Sequence, residues 1–117
     1  MQVQVRTDDH IHGGESLAQW LQDETTTRLA RFRDYVSRVE VFLSDVDAGK
    51  SGAADKRALI EARVNGRPAV AASAEADKTA VAFTAAITKL QHALDAEVGR
   101  LKDHGRESIR GAQEPAA

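Results

Sequence analysis

Residues 36–75, VSRVEVFLSDVDAGKSGAADKRALIEARVNGRPAVAASAE, contain three β-strand patterns in succession. Apolar and more polar residues alternate over residues 39–43 and again over residues 58–64, which is the periodicity of a strand with one buried face. Between the last two patterns, Asn65-Gly66 predicts a two-residue hairpin turn in which both residues adopt positive φ. Because one face of each strand is apolar, the sheet requires a second layer to cover it.

The segments on either side of this stretch supply that layer. Residues 2–6 predict a short first strand, and a helix begins near Glu15 with an apolar stripe that continues to Phe32. Residues 25–27 are three threonines, which weaken this helix locally. A last helix is expected over residues 77–104, with the following apolar stripe: Phe83, Ile87, Leu90, Leu94, Val98 and Leu101.

The order β-α-β-β-β-α predicts an α+β protein in two layers. Its four-stranded mixed sheet carries both helices on one face and leaves the other face open to water. Gly105 suits the C-cap of the last helix. We therefore expect one domain over residues 1–104 and a disordered, polar tail over residues 105–117.

Composition limits the function. The chain has 117 residues, no cysteine and a net charge of −2, from 16 basic and 18 acidic residues. Disulfides and thiolate chemistry are therefore excluded, and the acidic balance is unusual for a nucleic-acid-binding protein. We expect no membrane segment, no deep apolar pocket for a small-molecule substrate and a cytoplasmic location.

A line of cations nevertheless runs opposite the apolar stripe of the last helix. At 100° per residue, its four members lie within roughly 80° of one another: Lys78, Lys89, His92 and Arg100. The first helix adds Arg28, Arg31 and Arg33 at its C-terminal end. Two interpretations stay open, a solvated helix face or a surface that contacts RNA phosphates, and the nearby Asp95, Glu97 and Asp103 favour the first.

Other motifs carry less weight. His10 and His12 suggest a metal site, but no third ligand lies nearby in the sequence, and we expect no metal and no cofactor. An Asp-x-Asp start of a calcium loop at residue 45 lacks its final glutamate, and a Gly-Lys-Ser at residue 49 lacks the first glycine of a P-loop. No nucleophile and base are arranged together, so we do not expect an enzyme.

The aromatic residues divide between the two faces of the predicted sheet. Trp20, Phe32 and Phe83 lie on or beside the apolar stripes and are expected to pack in the core. Alternation instead places Phe42 on the open face of the sheet, where it forms a small apolar patch with Leu59.

With this order of elements, the chain resembles the ribosome hibernation promoting factor family, which includes ribosome-associated translation inhibitors once called sigma-54 modulation proteins. The resemblance covers about residues 1–104. It rests on these segments: MQVQV at residue 1, RFRDYVSRVEVFLS at 31, DKR at 55, IEARVNG at 60 and KL at 89.

This resemblance implies a fold similar to double-stranded-RNA-binding domains and a protein that binds small-subunit rRNA, without a small-molecule substrate, and inhibits translation under stress. The family's RNA contacts would correspond to Arg28, Arg31, Lys89 and His92, with Arg100 extending them. Basic residues that the family usually has are replaced by Thr25, Asp95 and Ala96. The dimerisation domain of long members is absent, so the chain resembles a short form.

The alternative function is a protein-interaction module that keeps the fold but has lost the basic surface. It would act through the open sheet face or an edge strand, as a monomer or a weak homodimer. The two functions are distinguished by whether acidic neighbours hold Lys78, Lys89 and Arg100 in ion pairs, because cations held in this way favour the alternative.

Overall fold

A computed structural model of the protein describes residues 1–8, 11, 13–46 and 55–113, with side chains as far as Lys102. The elements follow the order β-α-β-β-β-α, which confirms the predicted α+β class. Their bounds are β1 (Gln2–Thr7), α1 (Gly14–Arg28), β2 (Val36–Asp45), β3 (Lys56–Val64), β4 (Val70–Ala76) and α2 (Thr79–Gln113), with a short 3-10 helix (Ala30–Phe32) between α1 and β2.

The four strands form one mixed sheet in the order β1-β2-β3-β4. β1 runs parallel to β2, and the other neighbours are antiparallel. The edge strands of the sheet are therefore β1 and β4. Most of the predicted mobile loop at residues 45–56 lies outside the described residues, but Lys56 pairs with Asp45 at the end of the β2–β3 ladder.

One hydrophobic core joins the sheet to both helices. α1 lies over β1, and α2 lies over β3 and β4. Their buried side chains belong to the same cluster, so the two helices cover the same face of the sheet. The following core side chains are completely buried: Leu21, Leu29, Val39, Val41, Ile60, Ile87, Leu90 and Leu94.

The opposite face of the sheet is uncovered among the described residues. Phe42 and Leu59 are half-buried there and face each other across β2 and β3, as alternation predicts. Charged side chains surround this pair, and Arg57 and Arg63 on β3 are exposed. The sheet therefore presents a small apolar patch inside a polar surface.

The turn between β3 and β4 differs from the predicted one. Only Gly66 has a positive φ (73°), whereas Asn65 does not. The carbonyl of Val64 accepts a hydrogen bond from the N–H of Arg67 (3.1 Å), which fits a type II turn with glycine at its third position. Pro68 has no N–H to continue the ladder, so β4 begins only at Val70.

The first helix ends earlier than its apolar stripe predicts. α1 stops at Arg28, and the chain tightens into the 3-10 helix, which buries Phe32. Thr25 is fully buried, and its hydroxyl donates to the carbonyl of Leu21 (2.7 Å). Because such a hydroxyl competes with the helical backbone for its acceptors, a run of threonines favours an early end.

The predicted end of the last helix at His104 is wrong, because α2 continues to Gln113. Gly105 lies inside the helix instead of at its C-cap. A single interior glycine costs only about 1 kcal/mol, and Arg, Glu, Ala and Gln around it favour helix. The division between a domain at 1–104 and a disordered tail at 105–117 stays a prediction, and residues 114–117 lie outside the described part.

We predict that Val98→Ala lowers the free energy of unfolding by roughly 1–3 kcal/mol, because Val98 is buried in the hydrophobic core and the change leaves a cavity. Val81→Ala makes the same change on the same helix at a side chain that is 50% exposed, and should shift the free energy by less than about 0.5 kcal/mol. Urea unfolding measures both. Equal losses would mean that α2 does not pack through its predicted stripe.

Candidate nucleic-acid interface

The six predicted RNA-binding residues all lie on the helix layer, away from the open sheet face. Arg28 ends α1, and Arg31 lies in the 3-10 helix. Lys78 directly precedes α2, where its carbonyl accepts a hydrogen bond from the N–H of Ala82 (3.0 Å). The other three lie on α2: Lys89, His92 and Arg100. We call this set the helix-layer cations.

The helix-layer cations do not form one continuous line. Lys89 leans toward the edge strand, where its ammonium group donates to the carbonyl of Ser73 in β4 (3.1 Å). Arg28 lies on the other side of α2, and its carbonyl accepts a hydrogen bond from the side chain of Gln91 (3.0 Å). The surface is therefore divided along α2 into a side near β4 and a side near α1.

Asp95 neutralises part of the side near α1. Its two carboxylate oxygens accept hydrogen bonds from both terminal nitrogens of Arg31, one of them at 2.9 Å. This hydrogen bonding holds the pKa of Asp95 below its usual range. Both side chains remain about half exposed, so the ion pair stabilises the fold by at most about 1 kcal/mol. It links the 3-10 helix to α2 and leaves Arg31 partly available.

Glu97 neutralises a second group of cations at the far end of the sheet. Its side chain is only 10% exposed, and it accepts hydrogen bonds from Arg67 Nε (2.5 Å) and from Arg100 (2.7 Å). The hydrogen bonds from Arg100 and then Arg67 lower the pKa of Glu97. The carboxylate thereby joins the β3–β4 turn to α2.

The remaining helix-layer cations have weak partners or none. Arg28 Nε lies 3.4 Å from Glu24 one helical turn earlier, a long contact for a hydrogen bond. In the part of the chain that the structure describes, Lys78 and His92 have no ion pair or side-chain hydrogen bond, and both are exposed. Among the described residues, Arg100 is the only one of the three cations that distinguish the two functions to be held by an acidic neighbour.

Three features of this surface do not follow from the sequence. Arg67 belongs to a turn 30 residues before Glu97, so no local pattern indicates their pairing. Thr25, expected to replace a surface cation, is fully buried, which means that its position is not part of the exposed surface. Trp20 contacts Phe83 edge-on (5.5 Å between ring centres), but the prediction that it packs in the core is wrong, because 40% of it is exposed.

Other kinds of site find little support in the described residues. No three His, Asp or Glu side chains come together as metal ligands among them, while His10 and His12 lie outside them. No helix in the described part is long and apolar enough to cross a membrane.

Comparison with known proteins identifies relatives of this fold. A family model described as sigma 54 modulation protein / S30EA ribosomal protein matches residues 3–102. A ribosomal subunit interface protein from Coxiella burnetii has a similar structure, with a TM-score of 0.62 at 18% identity, covering 85% of this chain and 99% of that one. The N-terminal domain of Protein Y from Thermus thermophilus gives 0.61 at 22% identity, covering 79% and 93%. No curated protein sequence matches.

We predict that Glu97→Gln lowers stability at pH 7, because it removes the charge that holds Arg67 and Arg100. Since the folded pKa of Glu97 is lowered, this stabilisation is present above the unfolded value of about 4.3 and is lost as the pH falls through the folded value. Unfolding of both proteins from pH 7 to pH 2 should therefore show a difference that shrinks in acid.

The matched control is Glu75→Gln, the same change at an exposed carboxylate for which the described structure contains no ion pair. Its stability should stay within about 0.5 kcal/mol of wild type at pH 7. A loss for Glu97→Gln that persists unchanged at low pH would show that the charge of Glu97 does not stabilise the fold.

Proposed function

Because the chain belongs to the sigma 54 modulation protein / S30EA ribosomal protein family, we propose that it binds the small ribosomal subunit through rRNA and inhibits translation. Family membership places it among ribosome-associated proteins that are not enzymes. The single observation that supports the RNA contact is the position of the helix-layer cations, which all lie on the covered side of the sheet and include Lys78, exposed and without an ion pair among the described residues.

The geometry favours recognition of shape and phosphate over recognition of sequence. The predicted cations lie on the helices and beside them, separated from one another on the outer surface of the helix layer. Folded RNA is commonly recognised by its phosphates and its shape. The ribosome that the protein binds would be cytoplasmic, and no cofactor or small-molecule substrate takes part.

The ion pairs imply modest affinity that depends strongly on salt. Arg31 and Arg100 must exchange Asp95 and Glu97 for a phosphate before they contribute to binding. The exposed pair of Arg31 and Asp95 costs at most about 1 kcal/mol to break, so its exchange is possible but reduces the net gain. Glu97 is mostly buried, so Arg100 is exchanged less easily. The net charge of −2 also removes the general attraction that most RNA-binding proteins have.

The alternative function, a protein-interaction module, is favoured by one specific observation. The apolar pair Phe42 and Leu59 lies on a sheet face that nothing covers in the described structure. A second copy or another protein would bury this patch, in keeping with the predicted monomer or weak homodimer. The two functions use opposite faces of the molecule, so substitutions on each face separate them.

We predict that Lys78→Glu/Lys89→Glu reduces co-sedimentation with ribosomes by more than tenfold at low salt. Each lost phosphate contact also reduces the magnitude of the slope of log affinity against log salt concentration by about 0.7–0.9. The slope of the double variant should therefore be smaller in magnitude by about 1.5. The control is Arg57→Glu/Arg63→Glu, the same number of charge reversals on exposed residues of the open sheet face. Ribosome binding should survive in the control.

The control also decides between the two functions. If wild type does not pellet with ribosomes at low salt, or if the helix-layer variant pellets as well as wild type, the RNA-binding function is wrong. If only Arg57→Glu/Arg63→Glu abolishes pelleting, the open sheet face is the binding surface.

A second prediction concerns the ion pair between Arg31 and Asp95. Asp95→Asn removes the charge that holds the guanidinium group and should strengthen ribosome binding several-fold, with a steeper dependence on salt. Asp34→Asn, an exposed carboxylate outside any ion pair of the described structure, should leave binding unchanged. Weaker binding by Asp95→Asn, measured in the same sedimentation assay, would contradict a phosphate contact by Arg31.

A further inference from the structure

An open groove of about 670 Å³ lies on the outer surface of the helix layer. It contains Trp20 of α1 and Val81 of α2, which are 40% and 50% exposed, the two most exposed large apolar side chains of the helices in the described structure. Scattered exposed apolar residues are ordinary, but here two of them line the same groove. This clustering of two exposed apolar side chains favours a binding site over ordinary scattered exposure.

The floor of the groove is apolar although threonines form part of it. The hydroxyl of Thr84 donates to the carbonyl of Ala80 (2.8 Å), and that of Thr88 donates to the carbonyl of Thr84 (2.8 Å). Both hydroxyl protons are thus used within the helix, and the lining of the groove is mostly apolar. A polar ligand would find few donors there, whereas a flat, weakly polar ring would fit.

The indole ring of Trp20 is held in place on one side only. It packs edge-to-face on Phe83, with an interplanar angle of 65°, and Phe83 is itself buried in the core. A ring fixed in this way loses little freedom when another ring stacks on its exposed part. Stacking of nucleic-acid bases on such fixed aromatic side chains is a common mode of single-strand binding.

One cation and one imidazole ring are also part of the groove. Lys89 and His92 line it, and Thr88 and His92 are one helical turn apart, a rise of roughly 6 Å. His92 has no side-chain hydrogen bond in the described structure, although Asp95 lies near enough to interact with it, and Lys89 has only the carbonyl of Ser73. A hydrophobic side chain of a partner protein would leave the ammonium group of Lys89 and the ring nitrogens of His92 unused, whereas a nucleotide carries an anionic phosphate beside its flat base.

From this arrangement we propose that the groove binds one unpaired RNA nucleotide. Its base stacks on Trp20 above Thr84 and Thr88, and its phosphate lies between Lys89 and His92. The inference rests on the proposed ribosome binding and adds a contact with a base to the contacts with phosphates. It implies that the RNA surface recognised by this protein includes a nucleotide outside a helix.

Trp20 is the only tryptophan of the chain, so its fluorescence reports on the groove directly. The probe is a single-stranded oligouridylate of eight nucleotides, compared with an abasic oligonucleotide of the same length and charge. The oligouridylate should quench the fluorescence in a saturable manner, and the abasic strand should not. Equal quenching by both strands, or none by either, overturns the proposal.

Binding measurements on variants test the same contact without relying on the fluorescence of Trp20. Trp20→Leu should weaken binding of a fluorescein-labelled oligouridylate by about tenfold, while binding of the abasic strand stays the same. Trp20→Phe, which keeps a ring on Phe83, should lose less. Val81→Glu tests the same groove without changing Trp20, in case the tryptophan variants misfold. Because Val81 is exposed, this variant should fold, and it should also weaken binding of the oligouridylate.

Co-sedimentation with ribosomes separates this proposal from the proposed function. If wild type pellets with ribosomes but binds the oligouridylate no better than the abasic strand, the proposed nucleotide site is wrong and ribosome binding stands. If Trp20→Leu loses pelleting while labelled strands with and without bases bind equally, the groove accepts a ribosomal protein instead of a nucleotide, which also overturns the proposal. If wild type does not pellet, the proposed function itself fails.

Discussion

The requirement to cover one apolar face of a four-stranded sheet determines most of this structure. Val39, Val41 and Ile60 point to that face and are completely buried beneath the helices. β1 and β2 are parallel, so the chain must cross over between them, and α1 makes that crossover. α2 covers the hairpin of β3 and β4. Both helices therefore expose their outer surfaces on the same side of the molecule.

This arrangement separates two faces with different chemistry. The helix layer carries the six predicted cations, and the open sheet face carries Phe42 and Leu59 among charged residues. The acidic composition does not prevent a local basic surface, because specific carboxylates neutralise only some of its members. Asp95 and Glu97 hold Arg31 and Arg100, whereas Lys78 stays unpaired in the described structure. RNA bound as we propose would make few contacts with this surface, each of them sensitive to salt.

The elements of the fold follow from the sequence because their periodicity is local. The alternation in residues 39–43 and 58–64, and the stripe from Phe83 to Val98, depend only on neighbouring residues and are confirmed. The end of α2 and the turn at Asn65 are wrong in the prediction, because glycine permits a helix end or a positive φ without requiring either. Local rules describe what a residue allows, and the tertiary structure selects among those options.

The candidate site is less predictable because its geometry depends on residues far apart in the chain. Arg31 and Asp95 are 64 residues apart, and Arg67 and Glu97 are 30 residues apart. The sequence indicates which cations are exposed, but not which carboxylates hold them. Trp20 shows the same limit, since its place beside the apolar stripe predicts packing and not the exposure that remains.

The most direct test of this account is a cryo-electron microscopy reconstruction of the protein bound to ribosomes at low salt. We predict density for the domain on the small subunit, with α2 and the end of α1 against rRNA and the sheet face of Phe42 and Leu59 directed away from it. Density in which the open sheet face contacts the ribosome while the helix layer faces solvent would contradict it.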